Sequence, residues 1–287
     1  MNKIFMAVFG LLFFIFNTCA AYAPDGKLFV TMLDVGQGDS FLIETPTQNI
    51  LLDTGDVGTR KQLINQLHAA GIERIERIIL THPHADHIGG VQAVLKNFPV
   101  DEIIDNGFPS TSPLYKKYRQ ADVKFSSLMA GDILNCGGNV YFEVLSPSPT
   151  AYFSDGNNQS IVGKLVFGDF SIIFTGDAEK PVEKDLLESY TDLKATILKA
   201  GHHSSKSSSS AKFIKAVNPE FVIISCGLDN GYGHPHKRPL EIYLEHGIPT
   251  ENIFCTAFNG SVRIEVDYFG FTITPERYVD WVDGYTI

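Results

Sequence analysis

Hydrophobic and polar residues alternate along the chain with two periods, one typical of strands and one typical of helices. Short apolar runs rich in β-branched and aromatic residues predict strands at 27–35, 39–45, 49–55, 76–80, 139–147, 195–201, 221–227, 252–256, 261–267 and 269–274. Residues 161–177 predict a hairpin that turns at Gly168 and Asp169. Segments with an apolar stripe at helical spacing predict helices at 60–71, 88–97, 179–189, 209–217 and 238–247.

The order of these elements indicates the fold class. Strands and helices alternate, but hairpins occur at both ends of the chain, which does not fit a doubly wound parallel sheet. The pattern therefore predicts a mixed α/β architecture of two sheets sandwiched between helices. The polar segment 105–118 contains proline and glycine and is expected to be a surface excursion beside the functional site.

The first 23 residues have the layout of a secretory signal. Lys3 precedes a short apolar run, and the segment ends in Ala21-Tyr22-Ala23. Because the run is short for a membrane-spanning helix, cleavage after Ala23 is favoured over retention as an anchor. We therefore expect an exported protein, periplasmic or secreted, with residues 1–23 as the signal and residues 24–287 as a single domain without stable membrane insertion.

The net charge limits which partners the protein can bind, and the cysteines raise the question of a disulfide. The formal net charge is −10, and loss of Lys3 with the leader makes it one unit more negative. An acidic surface does not attract polyanions at long range, so a nucleic-acid partner would need a local basic patch or bound cations. Cys136, Cys226 and Cys255 follow the leader. For Cys226 and Cys255, which each end an apolar run, a disulfide and a pair of buried free thiols are both open alternatives.

The strongest chemical signal is the stretch 79–90, ILTHPHADHIGG, which crowds three histidines and an aspartate behind a predicted buried strand. His82 and His84 are two residues apart, so in extended backbone they point the same way. Asp86 and His87 follow where the chain turns into a helix. Imidazole nitrogens and carboxylate oxygens suit Zn²⁺, Mn²⁺ or Fe. Two pairs of ligands from one loop can hold two neighbouring ions.

The same stretch matches the H-x-H-x-D-H signature of the metallo-β-lactamase superfamily, and the chain resembles one branch of it along its length. Six further segments occur in the order seen in that branch: DVGQGDS (34–40), LLDTG (51–55), NNQS (157–160), FTGDAE (174–179), KAGHHSSKSSSS (199–210) and GYGHP (231–235). The branch comprises the hydrolase domain of ComEC-type competence DNA-uptake proteins and its free-standing relatives. The resemblance implies an αββα sandwich of two mixed sheets flanked by helices, with a dinuclear metal site.

The resemblance also implies further ligands. Asp177 is expected to bridge both metals, and either His202 or His203 is expected to join Asp86, His87 and Asp177 at the second metal. The remaining histidine of that pair would contact a scissile phosphate or move protons.

Many superfamily members carry another histidine at the first metal, but here residues 155–160 occupy that region. The first metal would have fewer protein ligands, or would use Asp155 or an asparagine oxygen. That departure favours a harder ion such as Mn²⁺ over Zn²⁺.

Several other residues keep two interpretations each. His234 is interpreted as a wall residue that binds phosphate or acts as an acid. Asp53 either orients a ligand histidine or ends a strand. The glycine-rich turn between Asp34 and Asp39 lines the cleft or is purely structural, and the serine run 204–210 grips phosphates or caps a helix.

The predicted function is hydrolysis by a metal-activated water, with two divalent ions, Zn or Mn, and with Asp86, His203 and His234 as catalytic candidates. Such machinery cleaves phosphodiesters, lactones, thioesters and β-lactams alike, so fold and metals do not select the substrate. The resemblance favours a phosphodiesterase or nuclease, with DNA as a candidate substrate. The alternatives are a hydrolase of another ester or amide, and a metal-binding accessory protein without catalysis.

Overall fold

Two mixed β-sheets lie face to face in the computed structural model, which describes residues 26–149 and 153–286. The strands are β1 (Leu28–Met32), β2 (Phe41–Glu44), β3 (Asn49–Leu52), β4 (Ile75–Ile79), β5 (Val100–Asp105), β6 (Lys124–Ser127), β7 (Ile133–Gly137), β8 (Val140–Ser146), β9 (Val162–Phe167), β10 (Phe170–Phe174), β11 (Ile197–Lys199), β12 (Phe221–Ile224), β13 (Ile253–Cys255), β14 (Val262–Asp267) and β15 (Gly270–Pro275). The helices are α1 (Arg60–Ala69), α2 (Ala85–Ile88), α3 (Val91–Asn97), α4 (Pro113–Tyr118), α5 (Lys180–Ser189), α6 (Ala211–Val217), α7 (Lys237–Glu245), α8 (Thr256–Asn259) and α9 (Val282–Thr286).

Each sheet joins an antiparallel half to a parallel half. The first sheet has the order β15-β14-β1-β2-β3-β4-β5-β6, and its strands are parallel from β3 to β6. The second has the order β13-β12-β11-β10-β9-β8-β7 and is parallel from β10 to β13. The parallel halves need crossover helices, whereas the antiparallel halves need only turns.

Alternation of side chains along the strands gives each sheet two apolar faces. Leu28, Val30 and Met32 of β1 face the second sheet and share a core with Phe142 and Phe174. On the other side of the first sheet, strand residues pack against α1 and α3, and the outer face of the second sheet packs against α5, α6 and α7. Helices therefore cover both outer faces, and the predicted αββα sandwich is confirmed.

The helix predicted at 88–97 is wrong at its start, because Ile88 ends the separate one-turn helix α2 and α3 begins only after Gly89 and Gly90. A Cβ added to Gly89 would lie 2.4 Å from the backbone nitrogen of Val57, and one added to Gly90 would lie 2.3 Å from the carbonyl oxygen of Thr54. Only glycine lets the helix pair sit this close to the loop after β3.

The expected surface excursion at 105–118 is wrong only at its ends, because residues 107–117 are exposed or half-buried. Asp105 ends β5 and Tyr118 belongs to α4, and both side chains are buried. The Tyr118 hydroxyl donates a hydrogen bond of 3.1 Å to Asp105. The strand pattern around Asp105 was hidden because Glu102 is a charged residue inside β5, where it pairs with Arg77 and Lys124 on the neighbouring strands.

The described cysteines, Cys136, Cys226 and Cys255, are buried free thiols, with Cys226 Sγ and Cys255 Sγ 3.3 Å apart. Within 26–149 and 153–286, none of the helices combines the length and the apolar character that crossing a bilayer requires. The predicted signal at 1–23 lies outside the described residues, and the single domain at 24–287 stays a prediction.

Replacing Gly163 of β9 with alanine tests the packing between the sheets. An added Cβ would lie 2.1 Å from Phe142 Cζ, so the ring must move and the core must repack. We expect the free energy of unfolding in urea to fall by about 1–3 kcal/mol. Gly231→Ala is the matched control, because nothing lies within 4 Å of its added Cβ. Equal stability of the two variants would contradict this account of the core.

Candidate metal centre

The chemical groups singled out in the sequence meet where four strands end. His82 and His84 follow β4, Asp177 follows β10, and His202 and His203 follow β11. Asp86 and His87 lie on α2, the one-turn helix entered directly from the β4 loop. The loop after β12 brings His234 to the same edge.

Two ligand clusters share Asp177. Four side chains form the first, which we call the carboxylate-rich cluster: Asp86, His87, Asp177 and His203. His87 Nε2 and His203 Nε2 lie 3.3 and 3.5 Å from Asp177 Oδ1. His203 Nε2 is also 3.3 Å from Asp86 Oδ2. Ligand bonds of roughly 2.0–2.2 Å in a tetrahedral site separate the ligand atoms by roughly 3.3–3.6 Å, so these spacings suit a single ion.

His82, His84 and Asp177 form the second, which we call the histidine cluster. His82 Nε2 lies 3.0 Å from His84 Nδ1 and 3.7 Å from Asp177 Oδ2. Asp177 therefore presents one carboxylate oxygen to each cluster. This is the placement required of a bridging ligand, and it matches the role that the family resemblance implies for Asp177.

Unpartnered buried atoms test whether a cation fits. His87 Nε2 and Asp177 Oδ1 are both buried, and neither has a hydrogen-bond partner in the part of the chain that the structure describes. Buried polar atoms nearly always have a partner, and those without one require an explanation. A divalent cation in the carboxylate-rich cluster would satisfy both atoms at once, so the residues present fit a metal ion.

The sequence left open which histidine after β11 joins this cluster, and the structure places His203 there. Its Nδ1–H donates to the Ser225 carbonyl at 2.7 Å, which leaves Nε2 directed at Asp86 and Asp177. His202 is half-exposed instead, with Nδ1 3.0 Å from Glu179 Oε1. Both histidines have left-handed backbone (φ 46° and 54°), which makes consecutive side chains diverge.

Neighbouring polar groups hold the ligand rings in place. Asp53 Oδ2 lies 2.7 Å from His87 Nδ1, and Asp53 also accepts hydrogen bonds from the backbone and the hydroxyl of Thr81. The sequence allowed two interpretations of Asp53. Its burial and its contact with His87 favour the one in which it orients a ligand histidine. Ser160 Oγ lies 3.3 Å from His82 Nδ1 and accepts a hydrogen bond from the backbone of Asp177.

Sequence reasoning missed a buried ion pair behind the ligands. Lys199 Nζ lies 2.5 Å from Asp39 Oδ2 and donates to the Gly176 carbonyl at 2.8 Å. Asp39 Oδ1 in turn lies 3.4 Å from His203 Nδ1. Asp39 is therefore more than part of a glycine-rich turn. The available signal was Lys199 itself, a lysine that ends an otherwise apolar strand.

Burial and charge shift the acidity of the ligands in opposite directions. Burial would lower the pKa of His203, but Asp177 and Asp39 outweigh it and raise that pKa to about 10. The pKa of His87 is also raised well above its usual value, because Asp177 and Asp53 overcome burial. Burial dominates at His82, whose pKa falls well below its usual value.

A cavity of about 370 Å³ opens onto both clusters. Its lining includes Gln37, His84, Asp86, Asn157, Asp177, His202, His203, Tyr232 and His234. Burial, together with the charges of His203 and His202, lowers the pKa of His234 to about 3, so its ring is neutral at neutral pH. Tyr232 is 68% exposed and stacks on His234 with ring centroids 5.7 Å apart.

The serine run 204–210 serves mainly the loop itself. Ser208 Oγ donates to the Gly201 carbonyl at 2.6 Å, and Ser210 Oγ caps α6. The backbone amides of Ser209 and Ser210 donate to the buried Glu183 carboxylate. The structure thus favours the helix-capping interpretation of the run over phosphate binding.

Removal of the Lys199 charge alone should destabilise the fold far more than removal of both charges of the ion pair. We expect Lys199→Met to lower the free energy of unfolding in urea by roughly 3–5 kcal/mol, because Asp39 stays buried without its cation. The double variant Lys199→Met/Asp39→Asn should recover part of that loss. Lys212→Met, at an exposed lysine of α6, is the control. Strictly additive effects at Lys199 and Asp39 would refute the coupling.

Metal binding should release protons. With a pKa of about 10, His203 is protonated in the metal-free protein at neutral pH, and His87 is shifted in the same direction. These protonated pairs stabilise the metal-free fold at low pH, and that contribution is lost as the pH rises through the raised pKa values.

An ion must displace the same protons, so its apparent affinity should increase between about pH 6 and pH 9. Titration calorimetry in buffers of different ionisation enthalpy measures the protons released. An affinity that does not change with pH would contradict the assignment.

Comparison with known proteins agrees with this geometry. Residues 33–227 match the family model described as the metallo-beta-lactamase superfamily. The chain is 34% identical over 256 residues to ComE operon protein 3 of Bacillus subtilis (strain 168), covering 82% of this chain and 32% of that protein. It is 34% identical over 227 residues to competence protein ComA of Neisseria gonorrhoeae, covering 78% of this chain and 31% of that protein.

The chain thus spans about a third of the length of these relatives. Among solved structures, the metallo-beta-lactamase fold protein YhfI from Bacillus subtilis is similar in fold, with a TM-score of 0.51, 11% identity and coverage of 80% of this chain and 97% of that one. The resemblance to the competence-protein branch is confirmed by the matched relatives. The chain belongs to the metallo-β-lactamase superfamily.

Proposed function

We propose that this protein is an exported hydrolase, periplasmic or secreted, that cleaves phosphodiesters with two divalent cations, Zn or Mn. The observation that carries the proposal is the position of Asp177, which offers Oδ1 to the carboxylate-rich cluster and Oδ2 to the histidine cluster. Asp86, His87 and His203 would hold one ion, and His82 and His84 the other. Such a pair of cations supplies an acidified water and stabilises negative charge that develops on the substrate.

The chain's own residues would bind and orient the substrate from the cavity wall. His234 is held by Asn230, whose side chain accepts from the His234 amide at 3.0 Å and donates to its carbonyl at 2.6 Å. Because its pKa is lowered to about 3, its ring is neutral at neutral pH and is suited to donate a hydrogen bond to a phosphoryl oxygen rather than to protonate a leaving group. The ring of His202 lies 5.5 Å from that of His234, and its Nε2 is 3.7 Å from Asp177 Oδ2. That position suits proton transfer to a leaving group.

Two features support a phosphodiester, with DNA as the candidate polymer. One of the two matched relatives is named as a competence protein, and the sequence resembles the hydrolase domain of DNA-uptake proteins. The exposed aromatic ring of Tyr232 lies at the cavity rim. Exposed Lys206 lies on the adjacent loop, and its backbone amide donates a hydrogen bond to His236 Nδ1. An aromatic ring and a cation beside the site suit a nucleobase and a backbone phosphate.

The decisive experiment is a side-by-side activity screen of metal-reconstituted protein. The substrates are bis-p-nitrophenyl phosphate, single-stranded DNA and the β-lactam nitrocefin, each with Zn²⁺ or Mn²⁺. We expect metal-dependent cleavage of the first two, and Asp86→Ala should lower kcat/KM by about 10²–10³-fold, since a ligand of the carboxylate-rich cluster is lost. Asp101→Asn is the control and should leave the rate unchanged. Asp101 lies near the start of β5, which runs parallel to β4, so it is far from the strand ends that carry the site.

Each other outcome selects an alternative. Hydrolysis of nitrocefin without cleavage of either phosphodiester would overturn the proposed substrate class. Tight binding of metal with no turnover of any substrate would favour an accessory protein that only binds metal. The observation that supports this second candidate function is the histidine cluster, which offers three protein ligands to an ion.

A further inference from the structure

The two clusters are unequal. Among the described residues, the carboxylate-rich cluster brings four ligands together, whereas the histidine cluster brings together three, His82, His84 and the shared Asp177. His84 is also exposed, although His82 and Asp177 are buried. An ion in the histidine cluster therefore lacks a protein ligand that the other ion has.

Asn157 carries an atom that suits this position. Its Oδ1 is buried and has no hydrogen-bond partner among residues 26–149 and 153–286, although the residue as a whole is half-buried. Asn157 lines the same cavity as His84 and Asp177. The preceding residue lies against the His84 ring, since a Cβ added to Gly156 would be 2.8 Å from His84 Nε2, while His84 Nδ1 is the nitrogen nearer His82. A buried amide oxygen without a donor, beside a cluster that lacks a ligand, requires an explanation.

The neighbouring side-chain oxygen atoms each already accept a hydrogen bond. Asp155 is exposed, and its two carboxylate oxygens accept hydrogen bonds from the backbone N–H of Asn157 and from Asn158 Nδ2. Asn158 Oδ1 accepts from the backbone of Glu179 at 3.1 Å. Asp155 and Asn158 thus hold the short turn Asn157–Gln159 in place, and only the Asn157 side chain presents a free buried oxygen from this turn.

We propose that Asn157 Oδ1 is the additional ligand of the ion held by His82, His84 and Asp177. This inference rests on the proposed dinuclear function. A neutral amide oxygen is a harder and weaker donor than an imidazole, so it shifts the preference of the histidine cluster from Zn²⁺ towards Mn²⁺. It also makes the two ions unequal, because the carboxylate-rich cluster has two charged ligands and two imidazoles.

The test uses the full chain and measures metal binding, independently of activity. Mn²⁺ titrations followed by calorimetry and by electron paramagnetic resonance count the ions and give both dissociation constants. Wild-type protein should bind two Mn²⁺ ions in two steps. Asn157→Leu, which keeps the branching at Cγ and removes the oxygen, should weaken the second step roughly tenfold or more and leave the first step unchanged. The intact first step also shows that the variant is folded.

Two further variants separate the possible ligands. Asn157→His supplies an imidazole and should strengthen the weaker Zn²⁺ step relative to the weaker Mn²⁺ step. Asp155→Asn should leave both steps unchanged if Asn157 is the ligand. Loss of the weaker ion in Asp155→Asn, with normal binding in Asn157→Leu, would overturn the inference in favour of Asp155.

The outcomes also distinguish this inference from the proposed function. If wild-type protein binds no ion above trace amounts, the dinuclear function and the role of Asn157 both fail. If it binds two ions and Asn157→Leu binds both with unchanged affinity, only the role of Asn157 is overturned. Should Asn157→Leu not fold, an unchanged Zn²⁺ affinity in folded Asn157→His would overturn it equally.

Discussion

The burial of one carboxylate among imidazoles sets the requirements for the rest of the site. Asp177 is 2% exposed, and burial alone would raise its pKa, but His87 and His203 hold it well below the usual value. A buried carboxylate needs nearby positive charge, and in the metal-free protein protonated imidazoles supply it. Two divalent cations would replace those protons with a stronger counter-charge. The protonated imidazoles thus offset part of the carboxylate charge, which lets the fold form before the ions bind.

The sandwich makes this burial possible because its parallel strands end together at one edge. β4 in one sheet and β10, β11 and β12 in the other each deliver polar residues to that edge, while most of their own side chains pack in apolar layers. Lys199 and Asp39 bring opposite charges from the two sheets into contact behind the ligands. Such a pair contributes little net stability, since its desolvation offsets its attraction, but it fixes how the loops meet.

The sequence predicts the parts of this arrangement that are local. His82, His84, Asp86 and His87 fall within six residues, so their convergence follows from one strand end and one helix turn. The choice between His202 and His203 could not be predicted, because it depends on left-handed backbone and on the Ser225 carbonyl of another strand. The Lys199–Asp39 pair and the buried Glu102 of β5 were missed for a related reason. A charged residue is interpreted as exposed until its distant partner is known.

The acidic composition and an anionic substrate are compatible only through the ions. The chain has a formal net charge of −10, and its cavity is lined by the carboxylates of Asp86 and Asp177. Without cations, this cavity repels a phosphodiester at both long and short range. Two divalent cations would reverse the local sign while leaving the rest of the surface acidic. Affinity for substrate must therefore be coupled to metal occupancy, and the more weakly held ion would set the metal concentration at which substrate binds.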